Sequence, residues 1–194
     1  MKFSATTLPG VLLIEPDVYR DPRGLFLETY QARKYFAQGR IPDTFVQDNH
    51  SVSRKDTLRG LHVQPTVPQG KLVRVVEGRV FDVAVDVRVG SPWFGRWTGV
   101  ELSADNFRQL WVPQGFAHAF VVLSARAQFE YKCTDYYAPK DQLTIAWNDP
   151  DIGIAWPTEM GAPALAFKDD PEQDGGTMTL AQAREAGRLP VFAG

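Results

Sequence analysis

Cysteine, histidine and long apolar runs are scarce in this chain. Its 194 residues include one cysteine and three histidines. Because Cys133 has no partner cysteine, no disulfide forms within the chain, and this favours a reducing compartment. The apolar stretch 11–14 ends at Glu15 and is too short for a signal peptide or a membrane span. We therefore expect a cytoplasmic protein.

Neither sign of charge is in excess. The chain has 21 lysines and arginines against 23 acidic residues, a net charge of −2. This balance excludes a general basic surface for nucleic acid, so any bound anion must be held by a local cluster of arginine and lysine. Apolar residues make up 44% of the chain, which suits a single hydrophobic core. No linker, charge block or internal repeat divides it, and we expect one domain over residues 1–194.

Helical patterns are also few. One covers residues 30–38, and the other begins at Thr179, where Gln182 completes a possible capping box. The rest of the chain consists of short apolar stretches separated by glycine, proline and aspartate. The predicted strands are 10–15, 25–30, 45–53, 58–64, 71–77, 79–88, 97–103, 109–112, 117–123, 127–133 and 143–147. Eleven short strands predict an antiparallel sandwich or a small barrel. The polar stretch 168–176 is interpreted as a solvated loop.

The three histidines do not form the ligand pattern of a metal site. Metal-binding cupins use an H-x-H pair, a nearby glutamate and a later histidine. Here His62 is followed by Val63 and Gln64, so the second ligand of the pair is missing. The segment 113–118 keeps the P-x-G-x-x-H form of the second cupin motif, which ends at His118. These observations predict a cupin-like architecture without a bound metal.

Several polar residues lie within the predicted strands, and each has two interpretations. Residues 47, 49, 51 and 53 share one face, which is either an exposed sheet face or a binding face. Strict alternation places Arg59 and His62 on opposite faces unless the strand bends at Gly60. Lys71 is either a charge at a strand edge or an inward cation facing Asp82.

The segment QFEYKC shows the clearest alternation in the chain. It places Phe129, Tyr131 and Cys133 on one apolar face. Most tyrosines in such a position are core residues with one hydrogen bond, and Tyr131 by itself predicts no more than that.

A longer series of ordered motifs carries a family resemblance. The motifs are DPRGLFLETY, FVQDNHSVS, LRGLHVQ, QGKLVRVVEGRVFDVAVDVR, SPWFGRW, PQGFAHAF, YKCTDYYAP, WNDPDIGIAWP and LAFKD. In this order, from about residue 8 to residue 170, the chain resembles the dTDP-4-dehydrorhamnose 3,5-epimerase family. The resemblance implies an all-β, cupin-type antiparallel β-barrel or jelly roll with a few short helices, and an isomerase of dTDP-L-rhamnose biosynthesis. It also implies that no cofactor and no metal are needed.

The same resemblance implies catalytic roles at matching positions. His62 is then the base and Asp169 its partner, which fixes the imidazole tautomer and stabilises the imidazolium. Tyr131 is the opposing acid. Lys71 stabilises the negative charge that develops on the C4 oxygen, and Asp82 positions this lysine.

Binding positions follow from the resemblance in the same way. The implied substrate-binding residues are Arg23, Glu28, Gln47, Asp48, Asn49, Arg59, Lys71, His118, Tyr136, Gln142 and Lys168. The substrate is then a dTDP-linked 4-keto-6-deoxy sugar. The family also implies a homodimer in which Arg23 and Glu28 reach the neighbouring site. The chain has Gln142, Ala119 and Ala166 where the family commonly has glutamate, glycine and serine.

Three other functions remain open. A relative that inverts only C3 or only C5 shares most of these motifs. A metal-dependent cupin requires the ligand that is missing two residues after His62. A sugar-binding module without catalysis needs no opposed acid and base.

Overall fold

The computed structural model describes residues 1–41, 44–173 and 176–193. The strands are β1 (Lys2–Ala5), β2 (Leu12–Glu15), β3 (Val18–Asp21), β4 (Gly24–Leu27), β5 (Gln47–Arg54), β6 (Leu58–Val63), β7 (Lys71–Glu77), β8 (Arg79–Asp86), β9 (Trp97–Ser103), β10 (Gln109–Val112), β11 (Phe116–Val122), β12 (Arg126–Cys133), β13 (Leu143–Ile145) and β14 (Thr177–Met178). The helices are α1 (Ala32–Gly39), α2 (Leu180–Glu185) and a single 3₁₀ turn, Phe167–Asp169.

Two six-stranded sheets face each other. The first has the order β1-β2-β10-β7-β12-β5, and the second β14-β13-β6-β11-β8-β9, while β3 and β4 form a separate hairpin. Apolar side chains from both sheets meet in one core, where Phe120 of β11 stacks on Phe129 of β12 with ring centroids 4.1 Å apart. The predicted all-β, cupin-type fold is confirmed, although the two sheets do not close into a continuous barrel.

Each of the eleven predicted strand regions contains a strand, and the structure adds three that the pattern missed. These are β1, β3 and the two-residue β14. The predicted capping box of α2 is present, since Thr179 and Gln182 accept each other's backbone N–H groups. The polar stretch 168–176 is not uniformly solvated, because Asp169 is 2% exposed. Residues 174 and 175 of that stretch lie outside the described residues.

The second sheet is covered on both faces. Its outer face packs against α2 and the segment that follows, through Leu180, Ala183 and Leu189. No helix in the described ranges is both long enough and apolar enough to cross a membrane. The cytoplasmic location stays a prediction.

Strand β6 is irregular at Gly60. The register between β6 and β11 shifts there, and Gly60 has a φ of 116°. A Cβ atom at this position would lie 2.4 Å from the carbonyl oxygen of His118. Only glycine therefore fits this close approach of two backbones.

Candidate active site

A cavity of about 320 Å³ opens between the two sheets. Both sheets contribute side chains to its wall, so groups on opposite sides of it belong to different strands and different sheets. The sequence-predicted residues that the structure brings together here are Gln47, Asn49, Arg59, His62, Lys71, His118, Tyr131, Gln142 and Lys168.

The second sheet supplies His62, which is held by a buried carboxylate. Its Nε2 lies 2.6 Å from Oδ1 of Asp169, which is 2% exposed and lies 107 residues further along the chain. Burial lowers the pKa of His62, while the Asp169 carboxylate opposes this by stabilising the imidazolium. Neutral His62 is thus available as a base, and its partner is placed to stabilise the cation that forms when a proton arrives.

Arg59 reaches the same cavity as His62 despite the odd spacing between them. The irregularity at Gly60 breaks the alternation of β6, so both side chains face inward. The Arg59 guanidinium donates two hydrogen bonds to the Ser53 hydroxyl, at 3.2 Å and 3.1 Å. These two hydrogen bonds orient the Arg59 guanidinium toward the cavity, where it can bind an anionic ligand.

The first sheet supplies Tyr131, across the cavity from His62. It lies on β12 between Asn49 of β5 and Val73 of β7. Burial raises the pKa of Tyr131, which keeps the phenol protonated near neutral pH. A protonated phenol and a neutral imidazole from opposing sheets are groups that can give and take a proton on two sides of a bound molecule.

Lys71 also faces the cavity, so the strand-edge interpretation is wrong. Burial lowers its pKa, and the charges of Cys133 and Asp82 oppose that shift. The predicted direct pairing with Asp82 is absent from the described residues. Instead, both Asp82 oxygens lie 3.0 Å from Nε2 of His118. The reason is the register of β11 on β8, which sets His118 opposite Ala84 and therefore diagonal to Asp82.

The face formed by residues 47, 49, 51 and 53 points inward. Gln47, Asn49 and Ser51 line the cavity, so the exposed-face interpretation is wrong for this strand. Within the part of the chain that the structure describes, the buried Ser51 hydroxyl has no hydrogen-bond partner. The sequence pattern identified this face but could not tell which side of the sheet it would occupy.

Two predicted binding residues, Asp48 and Tyr136, do not line the cavity. Asp48 faces outward by the same alternation and pairs with Lys132, 2.9 Å away. Tyr136 is 65% exposed, and its neighbour Tyr137 lines the cavity instead. Gln69 is a further lining residue that sequence reasoning missed. Tyr136 and Tyr137 are adjacent in a polar loop, and no local pattern in the sequence indicates which of the two side chains faces the cavity.

Arg23 and Glu28 also lie away from the cavity of their own chain. Arg23 occupies the turn of the β3–β4 hairpin, with a side chain that is 91% exposed and bonded to Asp21. Glu28 follows the hairpin and forms an ion pair with Lys34 at 2.7 Å. A single chain therefore does not bring these two residues to the site.

Within the described ranges, no group of three or more His, Cys, Asp or Glu side chains is arranged to hold a metal ion. His62 and His118 are cross-strand neighbours, but each is bonded to its own aspartate. The cavity thus presents two histidine–aspartate pairs side by side.

Comparison with known protein families shows the family to which the chain belongs. A model described as dTDP-4-dehydrorhamnose 3,5-epimerase matches residues 5–174. The chain belongs to this family. A dTDP-4-dehydrorhamnose 3,5-epimerase from Pseudomonas aeruginosa is 53% identical over 169 residues, which is 87% of this chain and 93% of the relative. One from Neisseria gonorrhoeae is 56% identical over 164 residues, 84% of this chain, and the match spans 49% of that longer relative.

Solved structures of the epimerase family have the same fold. A dTDP-6-deoxy-D-glucose-3,5-epimerase from Legionella pneumophila, crystallised with dTDP-4-keto-L-rhamnose, is 47% identical and superposes with a TM-score of 0.91 over 100% of this chain and 99% of its own. Among the relatives found by sequence, a dTDP-4-dehydrorhamnose 3-epimerase from Streptomyces niveus is 37% identical over all of this chain and 90% of its own length. The chain is therefore an epimerase, which is a kind of isomerase, of the dTDP-4-dehydrorhamnose 3,5-epimerase family.

Proposed function

We propose that this cavity inverts C3 and C5 of dTDP-4-dehydro-6-deoxy-D-glucose and yields dTDP-4-dehydro-L-rhamnose, a step of dTDP-L-rhamnose biosynthesis. The observation that carries the proposal is the placement of the His62–Asp169 pair and the Tyr131 phenol on opposite sheets around one cavity. Inversion needs a proton to leave one face of a carbon and another to arrive on the opposite face. A base and an acid on opposed walls meet that need.

The reaction begins at a C–H bond next to the C4 ketone. His62 takes this proton, and the electrons of the C–H bond move into an enolate whose charge lies on the C4 oxygen. Asp169 stabilises the resulting imidazolium. Tyr131 then delivers a proton to the other face of the carbon, and the ketone re-forms. Proton exchange with solvent returns His62 and Tyr131 to their starting states before the second carbon reacts. Only protons move, so the proposed chemistry needs no hydride carrier.

The enolate requires a positive charge or hydrogen-bond donors near its oxygen. Lys71 from the first sheet and His118 from the second both face the cavity and supply these groups. In this proposal Asp82 acts on His118, which it contacts directly, and on Lys71 only through its charge. The carboxylate fixes the His118 ring and balances the buried lysine.

The diphosphate and nucleotide need cations and polar groups around the same opening. Arg59 and Lys168 are cationic and line the cavity, which supports a role for them in holding the diphosphate. Gln47 and Asn49 offer amides on the adjoining wall, with Gln47 Nε2 donating to Asn49 Oδ1 at 3.0 Å. Together with Gln142 they supply neutral donors and acceptors for the sugar and the base.

In this proposal the predicted contacts of Arg23 and Glu28 require a second copy of the chain. The β3–β4 hairpin that carries Arg23 exposes Tyr19 and Phe26, which are 62% and 69% exposed. Apolar side chains of this size on a projecting hairpin favour burial against a partner. We infer a homodimer in which Arg23 and Glu28 enter the neighbouring cavity.

A mono-epimerase is the second candidate, since the Streptomyces niveus 3-epimerase aligns over the whole chain. Its identity of 37% is lower than the 53% of the 3,5-epimerase from Pseudomonas aeruginosa, which favours double inversion.

Incubation with the 4-keto-6-deoxyglucose nucleotide in heavy water, followed by NMR, tests the proposal. Deuterium is expected at both C3 and C5 with inverted product. The His62→Ala variant is expected to lose exchange at both carbons while still binding dTDP. Tyr131→Phe is expected to slow inversion, on the order of 10²-fold or more, yet retain some exchange.

The matched control is His50→Ala, which removes a histidine that lies outside the cavity and pairs with Glu130. It is expected to keep the wild-type rate. Exchange at one carbon only would establish the mono-epimerase instead, and a His62→Ala variant with near-native turnover would refute the assigned base.

A further inference from the structure

The end of the chain runs past the catalytic base on the second sheet. This C-terminal segment, residues 177–192, begins after residue 174, where the match to the family model stops. Its strand β14 pairs in parallel with β13, which sets Thr177 beside Thr144. Strand β13 in turn pairs with β6, which sets Thr144 beside His62. Thr177 and the base therefore lie in one cross-strand row.

Thr177 also contacts the turn that carries the partner of the base. Its hydroxyl donates a hydrogen bond to the backbone carbonyl of Lys168 at 2.9 Å. Lys168 and Asp169 are consecutive residues of the 3₁₀ turn, so this bond is one residue away from the carboxylate that holds His62.

The 3₁₀ turn has little support of its own. The residue before it, Ala166, gives it no side-chain cap, and Phe167 is 64% exposed. A three-residue turn, closed by a hydrogen bond from the Asp169 N–H to the Ala166 carbonyl, is readily displaced unless neighbouring groups fix it. The Thr177 hydroxyl is such a group.

The C-terminal segment is anchored independently of that hydroxyl. The carbonyl of Met178 accepts from the Ala146 N–H at 2.9 Å, and the Leu180 N–H donates to the buried Asp149 carboxylate at 2.6 Å. Leu180 and Ala183 are buried against the sheet. Loss of the Thr177 hydroxyl therefore leaves the strand and helix α2 in place.

We propose that Thr177 is a positioning residue. Its hydroxyl fixes the 3₁₀ turn against β14 and so holds the Asp169 carboxylate against the His62 imidazole. This inference rests on the proposed function for its kinetic consequences. Its structural consequence, the state of the His62 imidazole, is independent of turnover. The imidazole is faced by Asp169 and Lys168 from the 3₁₀ turn, by Lys71 from β7 and by its cross-strand neighbour His118 from β11.

Three variants of the whole chain test this role of Thr177. Thr177→Val removes the hydroxyl and keeps the branched shape, while Thr177→Ser keeps the hydroxyl. Thr6→Val is the matched control, because the Thr6 hydroxyl donates to the carbonyls of Leu8 and Val11 in a distant turn. Each variant is measured for kcat, KM and the NMR titration of His62, whose signal is assigned with His62→Ala.

Thr177→Val is expected to lower kcat roughly two- to tenfold, the value of one hydrogen bond expressed as a rate. It is also expected to shift the His62 titration to lower pH, because Asp169 then stabilises the imidazolium less. Thr177→Ser is expected to restore both quantities, and Thr6→Val to leave the titration unchanged. A Thr177→Val protein with wild-type kcat and a wild-type His62 titration would refute the positioning role of Thr177. An inactive wild-type enzyme would refute the proposed function alone, since the titration still decides the position of Asp169.

Discussion

Replacing Asp169 by asparagine tests the central pair of the site at nearly constant shape. The substitution removes the negative charge that lies 2.6 Å from Nε2 of His62. Asp169 is almost fully buried, whereas the His62 side chain is 21% exposed, so solvent screens the pair only in part. A hydrogen bond to a charged group in such a setting contributes about 1.5–3 kcal/mol. The imidazolium that forms during proton transfer loses this stabilisation.

That loss corresponds to a fall in kcat of roughly 10- to 150-fold. The pH profile changes as well. Burial already lowers the pKa of His62, and Asp169 is the group that opposes the shift. Without the carboxylate the pKa falls further, so the acid limb of kcat/KM moves to lower pH.

The assay is deuterium incorporation from heavy water at a series of pH values. Asp86→Asn is the matched control, since Asp86 is a buried carboxylate of β8 that holds Arg88 rather than a histidine. It is expected to lower stability without moving the acid limb. If Asp169→Asn retained the wild-type rate and the wild-type acid limb, Asp169 would not be the partner of the base.

Two further predictions concern the bent strand and the dimer. Gly60→Ala is expected to cost at least about 2 kcal/mol of unfolding free energy in denaturant titration, because its Cβ meets the carbonyl of His118. Gly90→Ala, at a similar positive φ but with open space around it, is the control, and an equal loss in both would exclude the clash. Mixing Arg23→Ala with His62→Ala is expected to restore activity toward about a quarter of the wild-type level, because one in four cavities of randomly exchanged dimers is intact. Mixing His62→Ala with Lys71→Met is the control, and it restores no activity if both residues belong to the cavity of the same chain. Equal activity in the two mixtures would exclude the entry of Arg23 into the neighbouring cavity.

Local patterns predicted much of the architecture. Alternation located the strands, and the inward set at Phe129, Tyr131 and Cys133 is apolar as expected. The capping box at Thr179 defined the start of α2. These features depend on near neighbours in the chain, which a sequence displays directly. The strands β1, β3 and β14 were missed because each contains at most one valine, leucine or isoleucine, so little apolar pattern marks them.

The motifs by themselves determined that this chain is an epimerase, since ordered motifs at matched spacing specify a family, and they predicted a histidine base. Only the tertiary structure decided which groups meet. It placed Asp82 against His118 rather than Lys71, turned Asp48 outward, and brought Thr177 to the carbonyl of Lys168. Such contacts join residues far apart in the chain, and strand register and sheet packing set them. Neither is encoded in any short stretch of sequence.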